Sequence, residues 1–573
     1  MEIKKNMNFK SLITPFEKDN DNNVWTVYPR PQMVRDSYIC LNGKWDIEIL
    51  SKENCKFKGE ITVPFPIPSR LSGVIVDIEK DDSIIYRRSF EISEDFVRDK
   101  ILLHFGAVDQ ICEIYINGNF AGKNVGGYLP FCIDITDYYK IGENTLEVRV
   151  IDNLDTDLPY GKQRKKRGGM WYTPISGIWQ TVWLESVCKQ YIELLKVNMD
   201  MDCAEIEVIG GVRDKIIHFE GKKIAFSGSK VTLKPENPEL WSPENPKLYD
   251  FVIESGEDRV ASYFALRKIE IENNKILLNG KPYFFNGLLD QGYFSDGIYL
   301  PASVKGYEYD ILTAKEMGFN MLRKHIKIEP QIFYYLCDKY GMVVFQDMVN
   351  NGKYNFILQT ALPTIGMKKR NFSRASEKCR KYFEETAVKT IDFLYSHPSV
   401  CYYTIFNEGW GQYDAKNMYS KLKNLDNSRV WDATSGWFQT GESDVLSEHV
   451  YFKPVKLKAD ERPLILSEFG GYSCEIENHS FNPGKSYGYK KFKNKTDFEN
   501  AIIDLYRKEI IPAIHNGLCG AVLTQISDVE DETNGLVTYD RQVIKMDKEK
   551  MKALSEEIKK EHQIAVGESE CSK

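Results

Sequence analysis

The segment VCYYTIFNEGWGQ, Val400 to Gln412, decides how this chain is read. Seven uncharged residues, many of them β-branched or aromatic, run into Asn407 and Glu408, and then into Gly409, Trp410 and Gly411. A short apolar run closed by turn residues reads as a strand buried on both faces, the kind found in parallel sheets. An unpaired carboxylate inside such a strand would cost several kcal/mol. The strand therefore stops on Glu408 because its end faces a cleft.

Working outward, the same shape recurs in YFFNGLL (283–289), FNMLRKH (319–325), MVVFQDM (342–348), RVWDATS (429–435), VLSEHVYF (445–452), PLILSEFG (463–470) and GAVLTQISD (520–528). Helix-length amphipathic segments intervene at YEYDILTAKEMG, EPQIFYYLCDKYG, FEETAVKTIDFLYSHP and FENAIIDLYRKEIIPAIHNG, and DKEKMKALSEEIKKEH comes last. Strands alternating with helices make parallel βα units, and eight of them over roughly 300 residues point to a (β/α)8 TIM barrel at 271–573. The connections after the fifth and sixth strands are too short for a full helix. The terminal AVGESECSK (565–573) reads as a disordered tail.

Upstream of the barrel the pattern is all β. SIIYRRSFEI, KILLHFGAV, CEIYINGNFAG, NTLEVRVID and QTVWLESV suit a β-sandwich over 1–187, with Asn117-Gly118 as a tight hairpin signal. IELLKVNMD, AEIEVIG, KIAFSGSKVTL and LYDFVIES suit a smaller immunoglobulin-like β-sandwich over 188–270. No Pro/Gly/Ser-rich linker separates the regions, so they are expected to pack rigidly.

At 573 residues the chain is long enough for about three or four domains. A net charge of −7 over that length argues against a nucleic-acid or anionic-membrane partner. The first residues hold no apolar run of signal-peptide length and no later stretch reaches a membrane span, so a soluble, cytoplasmic protein is expected. The 12 cysteines are scattered with no CxxC pair, which favours reduced thiols and gives no Cys/His metal site.

In a TIM barrel the functional groups sit at the C-terminal strand ends. Here those ends carry Asp290 and Gln291, Arg323 and His325, Asp347, Asn407 and Glu408, His449 and Tyr451, Glu468, and Asp528. A lone strand-end glutamate is more often a helix cap or a salt-bridge partner. Two, Glu408 and Glu468, at the ends of separate strands in one eightfold pattern are the equipment of glycoside hydrolysis. Glu408 lies beside Trp410 with no basic neighbour in its own motif, so desolvation is expected to raise its pKa and keep a proton available. Glu468 must stay ionised, and Arg323 is the expected partner that holds it.

These residues carry a resemblance to glycoside hydrolase family 2, the β-galactosidase, β-glucuronidase and β-mannosidase group. YRRSFEI (86–92), GAVDQICEIYINGNFAG (106–122) and WYTPISGIWQTVWLE (171–185) resemble its first domain, a sugar-binding-type jelly roll. LNGKPYFFNGLLDQGYF (278–294), AKEMGFNMLRKHI (314–326), HPSVCYYTIFNEGWGQ (397–412) and LILSEFGG (464–471) resemble its barrel. The resemblance implies a retaining exo-β-glycosidase, with Glu408 as general acid/base and Glu468 as nucleophile. It implies that Asn407 hydrogen-bonds the sugar 2-hydroxyl and that Tyr451 donates to the nucleophile. Retention requires the two carboxyls about 5–5.5 Å apart.

The chain also departs from the family. Leu289, Asp290 and Gln291 stand where β-galactosidases have Asn, Arg and His. In ETNGLVTYDR the Asn-x-Lys pair of β-glucuronidases has its nearest counterpart in Asn534, Gly535 and Leu536, without the lysine. A glucuronide is thereby disfavoured, and Asp290 suits the hydroxyls of a neutral sugar. A small neutral β-galactoside is the first expectation. A β-glucuronidase-like or arabinosidase-type hydrolase, or a catalytically silent carbohydrate-binding protein, is the alternative.

Trp437, with Phe438, is read as a stacking platform or a buried aromatic. His325 and His449 either touch substrate or brace carboxylates. The sequence requires no cofactor, although a divalent or monovalent cation held by Glu and His is compatible with the family, and a homo-oligomer is left open. The basic run GKQRKKRGG (161–169) reads as a solvated loop, which an acidic molecule favours over polyanion binding, with a third reading in which it leans over the barrel mouth and lines the aglycone side.

Overall fold

The structure, a computed structural model, describes residues 12–20, 24–52, 54–364, 366–367 and 375–571. Eight parallel strands form the barrel: β1 Phe285–Asp290, β2 Met321–Lys324, β3 Val343–Asp347, β4 Val400–Asn407, β5 Val430–Ser435, β6 Leu446–Val450, β7 Leu464–Gly470 and β8 Leu518–Thr524. Their order around the sheet is 5-4-3-2-1-8-7-6, and β5 lies beside β6, so the ring is nearly closed. Every residue of β1 to β5, β7 and β8 is buried, which is why these strands read as near-continuous apolar runs.

Helices Val304–Glu316, Gln331–Tyr340, Glu377–Leu394 and Lys495–Leu505 fall where the amphipathic segments were read. The second ends on Gly341, whose φ of +69° is the left-handed turn that stops a helix. A further helix, Ala415–Leu425, follows β4 and was not anticipated, because its apolar face is reduced to Ala415, Met418 and Leu422. No helix separates β5 from β6 or β6 from β7. The final helix, Lys548–Cys571, continues into the stretch expected to be a tail, where Ala565 packs on the barrel core. Residues 572–573 lie outside the described residues.

The first domain packs a six-stranded antiparallel sheet, including Asp82–Ile92 and Gly142–Ile151, against a four-stranded one that includes Lys100–Phe105 and Val182–Val187. Trp45, Ile47, Ile84, Tyr86, Leu103, Val148 and Leu184 fill the space between them. The second domain sets three strands against four around Ile206, Phe219, Phe251 and Phe264, as an immunoglobulin-like sandwich does. Every cysteine whose side chain is described is a free thiol. Among the described residues no helix is long and apolar enough to cross a membrane.

The first domain docks on the mouth of the barrel. Tyr128, Tyr160, Trp171, Tyr172 and Trp179 form one buried cluster with Tyr293, Tyr299, Trp410 and Tyr539. Removing one such side chain from water contributes about 1.5–3 kcal/mol. Hydrogen bonds fix the register: Tyr160 N and Gly161 N donate to Asn350 O at 3.2 and 3.3 Å, and Thr173 N donates to Glu530 Oε1 at 2.8 Å. One wall of the cleft above the strands is therefore built by another domain.

Candidate active site

β4 ends at Asn407, and Glu408 follows with φ +53°, in the left-handed region that costs a non-glycine residue about 1–3 kcal/mol. Glu408 N donates to Ser435 O at 3.0 Å, and Asn350 Nδ2 donates to Trp410 O at 2.7 Å, so both sides of the strained turn are held. Glu468 lies in β7 where the ladder register slips against both β6 and β8. An irregularity of this kind re-aims a side chain and is common beside active sites.

The two carboxyls converge. His449 Nδ1 is 2.8 Å from Glu408 Oε1 and 3.4 Å from Glu468 Oε2, and one ligand atom of each of the three side chains lies within 4.8 Å of the others. The histidine ring is held from its far side by Ser435 Oγ at 3.0 Å from Nε2. His449 thus lies within hydrogen-bonding reach of both carboxyls.

Arg323, buried in β2, organises the floor. Its Nη1 donates to Glu468 Oε1 at 3.1 Å and to Ser467 O at 2.9 Å, its Nη2 to Asn407 Oδ1 at 2.9 Å, and its Nε to Asp347 Oδ1 at 3.0 Å. Burial opposes its charge, but Asp347 and Glu468 outweigh burial and raise the guanidinium above its ordinary pKa. Tyr451 donates its hydroxyl to Glu468 Oε2 at 2.5 Å. Glu468 therefore receives a cationic donor on one oxygen and a phenol on the other.

Asp347 also meets His325, whose Nδ1 is 2.7 Å from Oδ2. Burial would raise Asp347, but Arg323 and His325 hold it down to about 2. His325 itself is pushed down to about 3, by burial first and by the ammonium of Lys162 second, and its Nδ1 is 3.9 Å from Glu468 Oε1. Trp437 sets its ring edge-on to His449 at 5.6 Å, and its Nε1 donates to Glu408 O at 3.1 Å and Gln359 O at 2.9 Å.

Asp290 is a correction. It was expected to receive sugar hydroxyls, but Oδ2 pairs with Lys324 Nζ at 2.6 Å and Oδ1 accepts from Gly292 N at 2.8 Å. Lys324 stands opposite it in the β1–β2 register, is fully buried and needs the charge. Asp528 is likewise spent on Lys545 Nζ at 2.6 Å and Gly535 N at 2.8 Å.

Other residues of the cleft escaped sequence reasoning. Tyr489 stacks on Tyr451 with centroids 4.0 Å apart. Gln525, just past β8, donates to Glu532 Oε2 at 3.1 Å and to Asn534 Oδ1 at 2.8 Å, and accepts from Gln291 Nε2 at 3.1 Å. Tyr172 of the first domain donates to Glu532 Oε2 at 2.5 Å. The polar Gln525 at the end of an apolar strand was the available signal; nothing in the sequence tied Tyr172 to it. The basic run divides: Arg164, Lys165 and Lys166 are exposed, whereas Arg167 pairs with Glu530 at 3.0 Å and the guanidinium of Arg164 sits 5.3 Å from the centroid of Trp171.

In this nearly closed parallel barrel two glutamates face each other from the ends of β4 and β7, one of them clamped by arginine and tyrosine, an arrangement compatible with carboxylate-pair chemistry. The chain belongs to glycosyl hydrolases family 2: its sugar binding domain matches residues 30–187, the family 2 domain that follows matches 194–267, and its TIM barrel domain matches 269–565. A β-galactosidase of Thermoanaerobacter pseudethanolicus is 28% identical over 46% of this chain and 39% of its own length. A putative β-glucuronidase of Formosa agariphila is 25% identical over 74% of this chain and 56% of its own. The chain thus spans roughly two-fifths to just over half of these curated relatives. The solved β-D-glucuronidase of Dictyoglomus thermophilum has the same fold, with TM-score 0.73, 20% identity and coverage of 93% of this chain and 98% of that one.

Proposed function

We propose that the chain is a cytoplasmic, exo-acting, retaining β-glycosidase of small soluble glycosides with a neutral glycone, a β-galactoside first among them. The observation that carries this reading is the 4.8 Å limit within which ligand oxygens of Glu408 and Glu468 lie. Retaining enzymes bring their carboxyls to about 5–5.5 Å, and an inverting enzyme needs about 6.5–9.5 Å to admit a water.

In this mechanism Glu468 attacks the anomeric carbon as Glu408 protonates the departing oxygen, leaving the sugar esterified to Glu468. Glu408, now a carboxylate, takes a proton from water as that water displaces Glu468 and restores the anomeric configuration. Arg323 and Tyr451 hold the nucleophile, and Arg323 also fixes Asn407 for the sugar 2-hydroxyl. Glu408, His449 and Glu468 are a donor set that a divalent cation accepts, yet the reaction needs both carboxylates, so no step is routed through a metal.

The relatives' names divide between β-galactosidase and β-glucuronidase, two glycones that differ in charge. Among the described barrel residues near the glutamates, Arg323, Lys324 and Lys327 all have carboxylate partners already. A sugar carboxylate would meet an acidic pocket whose barrel cations are committed. A panel of 4-nitrophenyl glycosides tests this: a neutral β-hexoside is expected to be the best substrate, and exclusive cleavage of the glucuronide or an arabinoside would replace the reading. Absence of all turnover in the parent, with sugar binding intact, would instead make the chain a silent carbohydrate-binding protein.

A further inference from the structure

Lys162 belongs to the first domain, yet it is anchored at the barrel mouth. Gln163 beside it is buried, with Nε2 donating to Asp109 Oδ2 at 3.0 Å and Oε1 accepting from Ile175 N at 2.7 Å. Lys162 O accepts from Tyr172 N at 3.0 Å, and Tyr172 is the residue that donates to Glu532. On the other side Gly161 has φ +61°, and a Cβ there would come within 2.9 Å of Ile326 O, so the chain passes this point because glycine lets it. Residue 162 is thus clamped between the neighbour of His325 and the partner of Glu532.

The side chain has work left to do. Arg167 is paired with Glu530 and Lys165 with Glu79, whereas half-buried Lys162 makes no ion pair or side-chain hydrogen bond among the described residues. Its charge reaches both walls of the pocket. Burial raises Glu532 to about 7, and the hydrogen bond from Tyr172 and the ammonium of Lys162 oppose that rise; the same ammonium lowers His325. Around Glu532, Gln291 Oε1 and Asn534 Nδ2 are buried without a hydrogen-bond partner. Buried polar atoms left unsatisfied call for a ligand or water.

We propose that Lys162 and Glu532 read adjacent hydroxyls of the neutral glycone, the ammonium donating and the carboxyl group accepting, so that the first domain completes the sugar pocket. This deepens the glycosidase reading and rests on it. The two charges offset each other, which suits a polyol; a glycone carboxylate placed there would face Glu532.

The test uses the full chain, Lys162→Met, Lys162→Gln and Lys162→Arg, with 4-nitrophenyl β-D-galactoside, β-D-glucoside, β-D-mannoside and β-D-glucuronide. Turnover is read in the parent background and binding by calorimetry in the Glu468→Gln background, with melting temperature as the check on folding. Loss of a charge-assisted hydrogen bond predicts a fall of about 10- to 100-fold in kcat/KM and in affinity for the preferred neutral glycoside, unchanged melting, and partial rescue by arginine. With the 4-deoxy or 6-deoxy glycoside, whichever lacks the hydroxyl being read, Lys162→Met costs nothing further. Parent-like kinetics and binding in Lys162→Met and Lys162→Gln overturn the proposal, as does a parent that prefers the glucuronide and loses it with the lysine. A parent that turns over none of the four sinks the glycosidase reading, while the binding arm still judges Lys162.

Discussion

Glu408 and Glu468 stand at the ends of different barrel strands, yet their carboxyl oxygens come within 4.8 Å of each other, with His449 touching both. Their surroundings differ, since Arg323 and Tyr451 donate to Glu468 and not to Glu408. Glu408→Gln is expected to lower kcat/KM about 10²- to 10⁴-fold on alkyl glycosides, whose leaving oxygen needs a proton. On 2,4-dinitrophenyl glycosides, whose leaving group departs unaided, the first step survives, and hydrolysis of the glycosyl-enzyme, deprived of its general base, becomes limiting. Equal losses on both substrate types would remove Glu408 from the acid role.

Tyr451→Phe deletes the 2.5 Å hydrogen bond to Glu468 Oε2 and leaves the ring stacked on Tyr489. A hydrogen bond to a charged group is worth about 1.5–3 kcal/mol, so kcat is expected to fall roughly 10- to 100-fold with the melting temperature nearly unchanged. A variant with parent kcat would show that the phenol does not act on the nucleophile.

The acidity of Glu532 predicts a pH effect. Burial raises it to about 7, so it is protonated below that value and ionises as pH rises through it. If the ionised group accepts from the sugar, kcat/KM rises as pH passes about 7, and Glu532→Gln removes that limb of the profile. For stability the sign is opposite: a carboxyl raised in the fold stabilises fully below its unfolded pKa, and this contribution is lost as pH climbs to about 7. Profiles of parent and variant that superimpose would contradict the assignment.

Asp347 is held down to about 2 by Arg323 and His325 against the effect of burial. Its contribution to stability is present above the unfolded pKa of about 3.9 and is lost as pH falls through 2. Asp347→Ala leaves Arg323 short of one buried partner and is expected to cost about 3–5 kcal/mol in denaturant unfolding. A cost below about 1 kcal/mol would show that Glu468 and Asn407 suffice to hold the guanidinium.

The barrel was legible because parallel strands buried on both faces leave apolar runs in the sequence, and their polar ends, Arg323, Asp347, Asn407, Glu408 and Glu468, mark the open face. The partnership of Arg323 with Glu468 followed from charge alone. Asp290 misled because a strand-end carboxylate looks the same whether it faces a cleft or a buried lysine such as Lys324, and that choice is made across the β1–β2 register. The helix Ala415–Leu425 was missed because its buried face is so narrow. Lys162 and Tyr172 were beyond reach: their approach to Glu532 depends on how two domains dock, and no periodicity in either segment records it.

The central claim is that Glu468 becomes covalently bonded to the sugar. Incubation with an activated 2-deoxy-2-fluoro β-glycoside of the preferred sugar, followed by peptide mass spectrometry, measures this directly. The account predicts stoichiometric inactivation with the fluorosugar on the peptide that contains Glu468. An enzyme that turns over its parent glycoside with inversion and is never labelled, or one labelled on a different residue, would contradict it.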